Sequence, residues 1–223
     1  FIKNKALGLS LTSEVTKLNS LTKNTVSSVA VIGGGWKAVE KIAVVENLAK
    51  TNDAVLVGGA LAQIFFIAKN IPLKPSIEIA RDKIEVAAKV LEAHDNIILP
   101  EDNLVLTNGE VKQVNTEELT EDMQVFDIGP NTIKRFKEVI SGVKRVFWNG
   151  PLGKFEDERF ETATREIAQF IAGLNSERIV YGGETLSAVN KFNLNDKYSF
   201  VSTAGGAGLS LLAGKRMPGL EIE

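Results

Sequence analysis

Short runs of apolar residues recur along the chain, and all but one of them end at glycine. The runs are rich in β-branched and aromatic side chains, and only a few residues separate their first and last apolar positions. A short and nearly continuous apolar run is typical of a strand that is buried on both faces of a parallel sheet. The pattern therefore predicts buried strands within residues 28–35, 54–59, 96–100, 145–150, 178–183 and 200–206.

Between these runs, apolar side chains recur every three or four residues, which is typical of helices with one buried face. The predicted helices cover residues 38–49, 60–69, 77–93 and 156–172, and a further helix begins at Pro130. Strands that alternate with helices predict βαβ units. We therefore expect an α/β fold with a doubly wound, mainly parallel sheet and helices on both faces, similar to a Rossmann fold.

Two regions depart from this alternation. Residues 11–21 have helical spacing of apolar positions, and Thr12 or Ser13 is the expected cap. We expect residues 1–27 to form either a helix on the edge of the domain or a connector to another domain. Residues 101–126 are the least regular part, and the tetrapeptide T-N-G-E at 107–110 predicts a hairpin turn.

Composition narrows the possible functions. The 223 residues carry a formal net charge of −2, which gives no reason to expect a nucleic acid or membrane partner. The absence of cysteine excludes disulfides, thiolate metal sites and a catalytic thiol, and the single His94 excludes a mechanism that needs two histidines. No signal peptide or apolar run of membrane-spanning length is present, so we expect a cytoplasmic protein. The chain begins at Phe1, and a fragment and a complete gene product both remain open.

The glycines that end the predicted strands indicate where a ligand binds. The carboxyl ends of parallel strands meet at one edge of the sheet, and ligands of open α/β sheets bind there. Glycine lets a phosphate approach backbone N–H groups at the start of the following helix. Lys37 and Lys41 follow the first glycine cluster with a spacing that places both on one helical face. A bound polyphosphate would offset their unfavourable position at a helix N-terminus, but a solvated lysine pair explains them equally well.

Two further strings carry candidate side chains. In W-N-G-P-L-G-K-F-E, residues 148–156, Asn149 ends a strand and Glu156 lies near the start of the next helix. There the Glu156 carboxylate could accept a hydrogen bond from a ribose hydroxyl. In G-G-E-T, residues 182–185, Glu184 and Thr185 open a helix, and a carboxylate beside phosphates commonly holds Mg²⁺. Capped turns are the alternative explanation of both strings.

At residues 148–156 the sequence resembles the phosphoglycerate kinase family, whose pattern is W-N-G-P-x-G-x-F-E. Similar matches follow along most of the chain: I-G-G-G-W-K-A-V-E-K, V-G-G-A-L-A-Q-I-F, L-P-E-D, F-D-I-G-P-N-T-I and S-T-A-G-G-A-G-L-S-L-L-A-G-K-R-M-P-G. All of these motifs belong to the carboxyl-terminal, nucleotide-binding lobe of the family. The resemblance implies a nucleotide-binding domain over residues 28–223, a connector over residues 1–27, and a missing amino-terminal lobe that binds 3-phosphoglycerate.

The resemblance also implies roles for individual residues. Lys37 matches a catalytic lysine that stabilises the phosphoryl group in flight, and Gly205 and Gly206 open the helix that faces that group. The residues implied to bind the nucleotide are Gly35, Lys41, Gly59, Asn149, Pro151, Glu156, Gly182, Gly183, Glu184 and Thr185, and Glu184 is the implied ligand of Mg²⁺. The implied partners are ADP or ATP and the other lobe, which carries 3-phosphoglycerate or 1,3-bisphosphoglycerate, in a monomer that is inactive without that lobe.

Several positions differ from the family pattern. These substituted positions are Trp36, Ala60, Val125, Tyr181, Glu184 and Ala204. They motivate a second hypothesis, in which the chain is a non-catalytic nucleotide-binding or interaction module derived from that lobe. A nicotinamide-dependent dehydrogenase is a third and weaker hypothesis, because no G-x-G-x-x-G opens the first helix.

Overall fold

A computed structural model describes residues 6–35 and 37–220, so the expectation that the Trp36 indole packs away from the cleft lies outside the described residues. The centre of the fold is a six-stranded sheet with the order β3-β2-β1-β7-β8-β9, in which every pairing is parallel. Its strands are β1 (Ser28–Ile32), β2 (Ala54–Val57), β3 (Ile97–Ile98), β7 (Arg145–Asn149), β8 (Glu177–Tyr181) and β9 (Phe200–Ser202).

Helices cover both faces of this sheet, which confirms the predicted fold class. Side chains that alternate along β1 contribute to two separate apolar clusters: Ala30 and Ile32 pack on one face, Val29 and Val31 on the other. The helices are α1 (Leu9–Leu21), α2 (Ile42–Ala49), α3 (Gly59–Ala68), α4 (Arg81–Ala93), α5 (Pro130–Ile140), α6 (Thr162–Ala172), α7 (Gly183–Lys191) and α8 (Gly205–Leu212). Within the described residues, no helix combines the length and apolar composition that a bilayer crossing requires.

The irregular region forms a second, antiparallel sheet with the order β5-β4-β6. Its strands are β4 (Asp102–Thr107), β5 (Glu110–Asn115) and β6 (Gln124–Ile128). The predicted hairpin turn is confirmed, since β4 and β5 pair and are joined by Asn108 and Gly109, both of which have positive φ angles. This small sheet supplies one wall of the cleft described below.

Helix α1 lies on the edge of the large sheet. Lys17 Nζ and Arg145 Nε both contact the Glu177 carboxylate at 2.5 Å, and the Glu14 carboxylate accepts hydrogen bonds from the Ser202 hydroxyl and the Thr203 N–H. The predicted cap is wrong: the helix begins after Gly8, residues 9–13 are exposed, and the Thr12 hydroxyl donates to the Gly8 carbonyl from inside the first turn. Tertiary contacts on the buried side therefore set the start of α1 without a side-chain cap.

Three other predicted helices begin differently. The helix predicted over residues 156–172 begins only at Thr162. Residues 77–80 are not helical and lie outside α4, which starts at Arg81. Residues 38–41 form a 3-10 turn before α2, although the periodicity predicts an α-helix there. In a 3-10 turn, with three residues per turn, positions four apart point roughly 120° from each other. The expectation that Lys37 and Lys41 share one face is therefore wrong for this segment.

Candidate functional site

The sheet reverses its strand order between β1 and β7, and a cleft opens at the carboxyl ends of these strands. The main chains lie close there: the Gly33 N–H donates to the Asn149 carbonyl at 2.8 Å, and the Gly58 N–H donates to the Ile32 carbonyl at 3.0 Å. The cleft has a volume of about 790 Å³. Ligands of doubly wound folds bind at this kind of reversal, so the topology and the cavity indicate the same location.

Five of the residues implied to bind nucleotide line this cleft. They come from four different loops and helix starts, and they are Gly35, Gly59, Pro151, Glu156 and Glu184. The opposite wall consists of residues from α3, from the segment before α4, and from the small antiparallel sheet, and it includes Gln63, Ser76, Asn103, Val125 and Asp127. Residues that are far apart in the sequence are thus brought to one cavity.

Lys41 is buried beside the strand ends. Only 4% of its surface is exposed, and its Nζ donates to the Gly33 carbonyl at 2.5 Å. Burial lowers the pKa of Lys41 to about 8, and the negative charge of Glu184 opposes that shift. A buried ammonium without a carboxylate in salt-bridge contact destabilises the fold, because desolvation disfavours the charged form. A bound anion would relieve that cost.

Two glycines make room for this ammonium. A Cβ atom at Gly34 would lie 2.5 Å from Lys41 Nζ, and one at Gly150 would lie 2.6 Å from it, both inside van der Waals contact. Gly34 also has a φ of +125° and Gly150 a φ of +92°, which side-chain-bearing residues rarely adopt. Glycines from I-G-G-G-W-K-A-V-E-K and from W-N-G-P-L-G-K-F-E therefore meet at one lysine.

Lys37 has a different environment from Lys41. It is exposed at the start of the 3-10 turn, and its carbonyl accepts the Glu40 N–H at 3.1 Å. Neither lysine is among the residues that line the cleft, but Lys41 contacts the glycines beside it. The structure therefore brings Lys41, but not Lys37, into contact with the strand-end glycines.

Asn149 and Thr185 support the loops around the cleft. The Asn149 amide nitrogen donates to the Tyr181 carbonyl at 2.8 Å, and the Thr185 hydroxyl donates to the same carbonyl at 2.6 Å. The Thr185 hydroxyl also accepts the Gly150 N–H at 2.7 Å. Among the described residues, the buried Asn149 Oδ1 has no hydrogen-bond partner, so it is the atom of this pair with free capacity to bind a ligand.

The predicted glycines of β8 and β9 lie at neighbouring strand ends. Gly182 caps α7 with a φ of +94°, and Gly183 is exposed in its first turn. Gly205 and Gly206 are exposed at the start of α8, with open space where a Cβ atom would lie. Their N–H groups are among the first of α8, which have no partner inside the helix and favour an anion.

The substituted positions that the structure describes lie in different surroundings. Tyr181 is buried under α8, where its hydroxyl donates to the Gly205 carbonyl and its ring prevents any side chain at Gly208. Burial raises the pKa of Tyr181 to about 12. Ala60 and Val125 line the cleft, and Ala204 is a half-buried residue that precedes α8.

A magnesium site here would depend on one carboxylate. Within the described part of the chain, no three histidine or acidic side chains cluster as a metal site. Mg²⁺ commonly uses one or two protein carboxylates together with substrate phosphates and water, so a cluster is not required. Glu184 is exposed, lines the cleft, and lies with its Oε1 atom 3.9 Å from the position of a Cβ at Gly35. This arrangement fits a magnesium ion that a phosphate helps to hold.

Sequence reasoning missed two buried polar residues of the cleft. Gln63 is the one polar side chain of α3, and a glutamine in an otherwise apolar helix signals a buried hydrogen bond. Asp127 interrupts an apolar strand, and its carboxylate accepts the Ala163 N–H at 3.0 Å in the first turn of α6. Burial raises the pKa of Asp127 to about 8, and the charge of Glu166 adds to that effect.

Comparisons with known proteins agree with these features. A protein-family model described as phosphoglycerate kinase matches residues 1–215. The phosphoglycerate kinase of Mycoplasmoides gallisepticum is 36% identical over 99% of this chain, and that of Solibacter usitatus is 37% identical over 98% of it. The structure of phosphoglycerate kinase from Coxiella burnetii superimposes on 94% of this chain with a TM-score of 0.82 and 35% identity.

The lengths of these proteins differ from that of this chain. The match covers 56% of the Mycoplasmoides and Solibacter proteins and 56% of the Coxiella structure. The match to the crystal structure of phosphoglycerate kinase from Pyrococcus horikoshii also covers 56% of that protein, with a TM-score of 0.79 and 27% identity. The chain thus spans about half the length of its curated relatives, and its fold matches the solved structures over that half. It belongs to the phosphoglycerate kinase family.

Proposed function

We propose that this chain is the carboxyl-terminal, nucleotide-binding lobe of a phosphoglycerate kinase. The reaction is the reversible transfer of a phosphoryl group between 1,3-bisphosphoglycerate and ADP, which gives 3-phosphoglycerate and ATP in cytoplasmic glycolysis. The observation that carries this proposal is the buried Lys41 ammonium. Among the described residues it forms no salt bridge, and it lies against strand-end glycines next to the cleft of about 790 Å³. A polyphosphate chain supplies the negative charge that such a site lacks.

Different residues of the site would bind different parts of the nucleotide. Lys41 and the main chain at Gly35 and Gly59 bind its phosphates, while Glu156 accepts a ribose hydroxyl. Asn149 and Pro151 contact the nucleotide from the end of β7, and the free Oδ1 of Asn149 supports that role. Gly182, Gly183 and Thr185 shape the loop that carries Glu184. In this arrangement Thr185 acts through its bonds to Tyr181 and Gly150.

Magnesium bound by Glu184 and the phosphates would neutralise negative charge that builds up near the transferred group. The acidic side chain lies beside the glycines that approach those phosphates, which is why it is the residue we assign to the metal. Glu78, Asp127 and Glu156 also line the cleft, but it is Glu184 whose carboxylate oxygens lie 3.5 Å and 3.9 Å from Cβ positions at Gly34 and Gly35. The assignment therefore depends on Glu184.

Transfer itself requires positioning and charge stabilisation more than covalent chemistry by the protein. A terminal oxygen of ADP forms a bond to the phosphorus of the acyl phosphate, and the bond from that phosphorus to the carboxyl oxygen breaks. The carboxylate leaves with the electron pair. We assign charge stabilisation of the moving phosphoryl group to Lys37 and to the first N–H groups of α8 at Gly205 and Gly206. The exposure of all three leaves them accessible to a substrate brought by another lobe.

The rest of the enzyme would come from an amino-terminal lobe that carries 3-phosphoglycerate or 1,3-bisphosphoglycerate. We propose that residues 1–27 connect the two lobes and that residues 28–223 form the nucleotide-binding domain of a monomeric enzyme. The anchoring of α1 to β8 and β9 supports a fixed connection. Without the other lobe, the chain binds nucleotide but transfers no phosphoryl group.

A calorimetric titration tests this proposal. Mg-ADP titrated into the full chain is expected to bind, and the addition of a separately produced amino-terminal lobe of a relative is expected to restore transfer between the acyl phosphate and ADP. Binding without restored transfer would favour a non-catalytic nucleotide-binding module. No binding at millimolar Mg-ADP would contradict the nucleotide site itself.

A further inference from the structure

Gln63 lies at the opposite side of the cleft from the strand-end glycines. It is one helical turn, about 6 Å, beyond Gly59 in α3. Every other residue of that helix is apolar or glycine, and only 3% of the Gln63 surface is exposed. A polar side chain at such a buried position destabilises the fold unless its amide is fully engaged.

The amide of Gln63 joins two separate segments of this opposite wall. Its Oε1 accepts the backbone N–H of Ser76 at 2.7 Å, and its Nε2 donates to the backbone carbonyl of Val125 at 3.1 Å. Ser76 belongs to the segment before α4, whereas Val125 belongs to β6 of the small antiparallel sheet. All three residues line the cavity.

The wall at Ser76 has little other support. Residues 72–79 form neither helix nor strand, and they contain Pro72 and Pro75, which have no N–H to donate. Among the described residues, the Ser76 bond to Gln63 is the backbone hydrogen bond that holds this stretch, and Leu73 is its buried apolar anchor. Removal of the Gln63 amide would therefore release Ser76 and Ile77 from a fixed distance to β6.

We propose that Gln63 is a positioning residue that sets the width of the cleft where the nucleobase binds. The inference rests on the proposed function, which assigns the phosphates to the strand-end side and so leaves the base to the side walled by Ile77 and Val125. A flat aromatic base needs two walls at a fixed separation, whereas phosphates need charge and N–H groups. Gln63 therefore determines affinity for the base and contributes nothing to affinity for the phosphates.

The experiment compares two probes, Mg-ADP and magnesium pyrophosphate, by calorimetry. In Gln63→Met, which keeps the side-chain length but removes both hydrogen bonds, ADP is expected to bind about tenfold more weakly while pyrophosphate affinity is unchanged. In Gln63→Glu, the carboxylate still accepts the Ser76 N–H, so the loss of ADP affinity is expected to be smaller. Thermal unfolding checks that both variants remain folded. If Gln63→Met does not fold, Gln63→Glu alone provides the test.

Gln113→Met is the matched control. Gln113 also donates a side-chain hydrogen bond, to Asp102 at 2.7 Å, but it lies on the exposed strand β5 and does not line the cleft. Its substitution is expected to leave the affinities for both probes unchanged. The role of Gln63 would be overturned if Gln63→Met bound ADP and pyrophosphate equally more weakly, or if its affinity for ADP did not fall. Failure of the unaltered chain to bind either probe would instead overturn the proposed function, and this inference with it.

Discussion

At the strand-end side of the cleft, main-chain groups and one buried ammonium form the wall, whereas at the opposite side the wall is made by side chains from distant segments. Gly34 and Gly150 lie against Lys41 there, and each is close to its strand in sequence. On the other side, Gln63 bonds to Val125, 62 residues further along the chain, and to Ser76, 13 residues further along. The first side suits a small charged group, and the second suits a flat apolar one.

Because the two sides are built differently, we expect substitutions on each side to change the affinity for different parts of the ligand. Charge and backbone conformation control the strand-end side, so changes there should affect pyrophosphate and ADP alike. Hydrogen bonds between distant segments of one wall control the other side, so changes there should affect only ligands that carry a base. Each prediction below tests whether the strand-end side behaves as a separate unit.

The largest expected effect comes from Lys41→Met. Loss of a charge-assisted contact is expected to weaken both Mg-ADP and magnesium pyrophosphate by about 10- to 100-fold, measured by calorimetry. The free energy of unfolding in urea is expected to stay equal or rise, because the variant removes a buried ammonium that has no salt bridge.

Lys50→Met is the control for that substitution. Lys50 follows α2 and pairs with Glu46 at 3.2 Å on the exposed surface, where such pairs contribute little. Neither affinity nor stability is expected to change measurably. If Lys41→Met lowered the affinity for ADP but not for pyrophosphate, the division of the cleft into a phosphate side and a base side would be wrong.

The same contrast explains what could be predicted from the sequence. The parallel strands, the helices on both faces and the glycine-lined edge follow from local patterns, because each strand end carries its own glycine and each helix its own apolar stripe. The hairpin at Asn108 and Gly109 follows from its turn residues. Gly35, Gly59 and Glu184 were predicted together and line the same cleft.

The residues that escaped prediction depend on contacts between distant segments. The residues around Gln63 in the sequence do not reveal that its amide bonds to Ser76 and Val125. In the same way, the residues around Asp127 do not reveal that its carboxylate accepts the N–H of Ala163. The 3-10 turn before α2 also escaped, because its apolar positions fit an α-helix equally well. Tertiary packing decides such features, and local periodicity cannot encode them.

Gly34→Ala is expected to have the second largest effect. The new methyl group would collide with the Lys41 ammonium, and the residue would also hold a φ of +125°. We expect the free energy of unfolding to fall by about 2–4 kcal/mol and the affinities for ADP and pyrophosphate to fall about tenfold. Urea unfolding and calorimetry measure the two effects separately.

Gly109→Ala separates the backbone cost from the collision. Gly109 has a φ of +80° in the hairpin turn, with nothing within 4 Å of a new Cβ atom. Its substitution is expected to lower the free energy of unfolding by about 1–2 kcal/mol and to leave both affinities unchanged. Equal losses of stability at the two glycines would contradict the idea that Gly34 makes room for the ammonium.

The smallest expected effect is the response to pH between about 8 and 9.5, where Lys41 loses its proton. Because the pKa of Lys41 is about 8, the free protein must take up a proton to bind phosphate above that pH. Affinity for ADP and pyrophosphate is therefore expected to fall about fivefold between pH 8 and pH 9. In Lys41→Met, the residual affinity should not depend on pH in this window.

Stability should move in the opposite direction over the same window. The folded pKa of Lys41 lies below its ordinary value of 10.5, so the unfolded chain binds more protons between the two values. The free energy of unfolding then rises with pH, by linkage. Asp127, whose folded pKa is raised to about 8, destabilises the fold progressively as pH rises towards 8 and adds no further change above it. Affinity that falls while stability rises would identify Lys41 as the titrating group, because a general loss of structure at high pH would lower both.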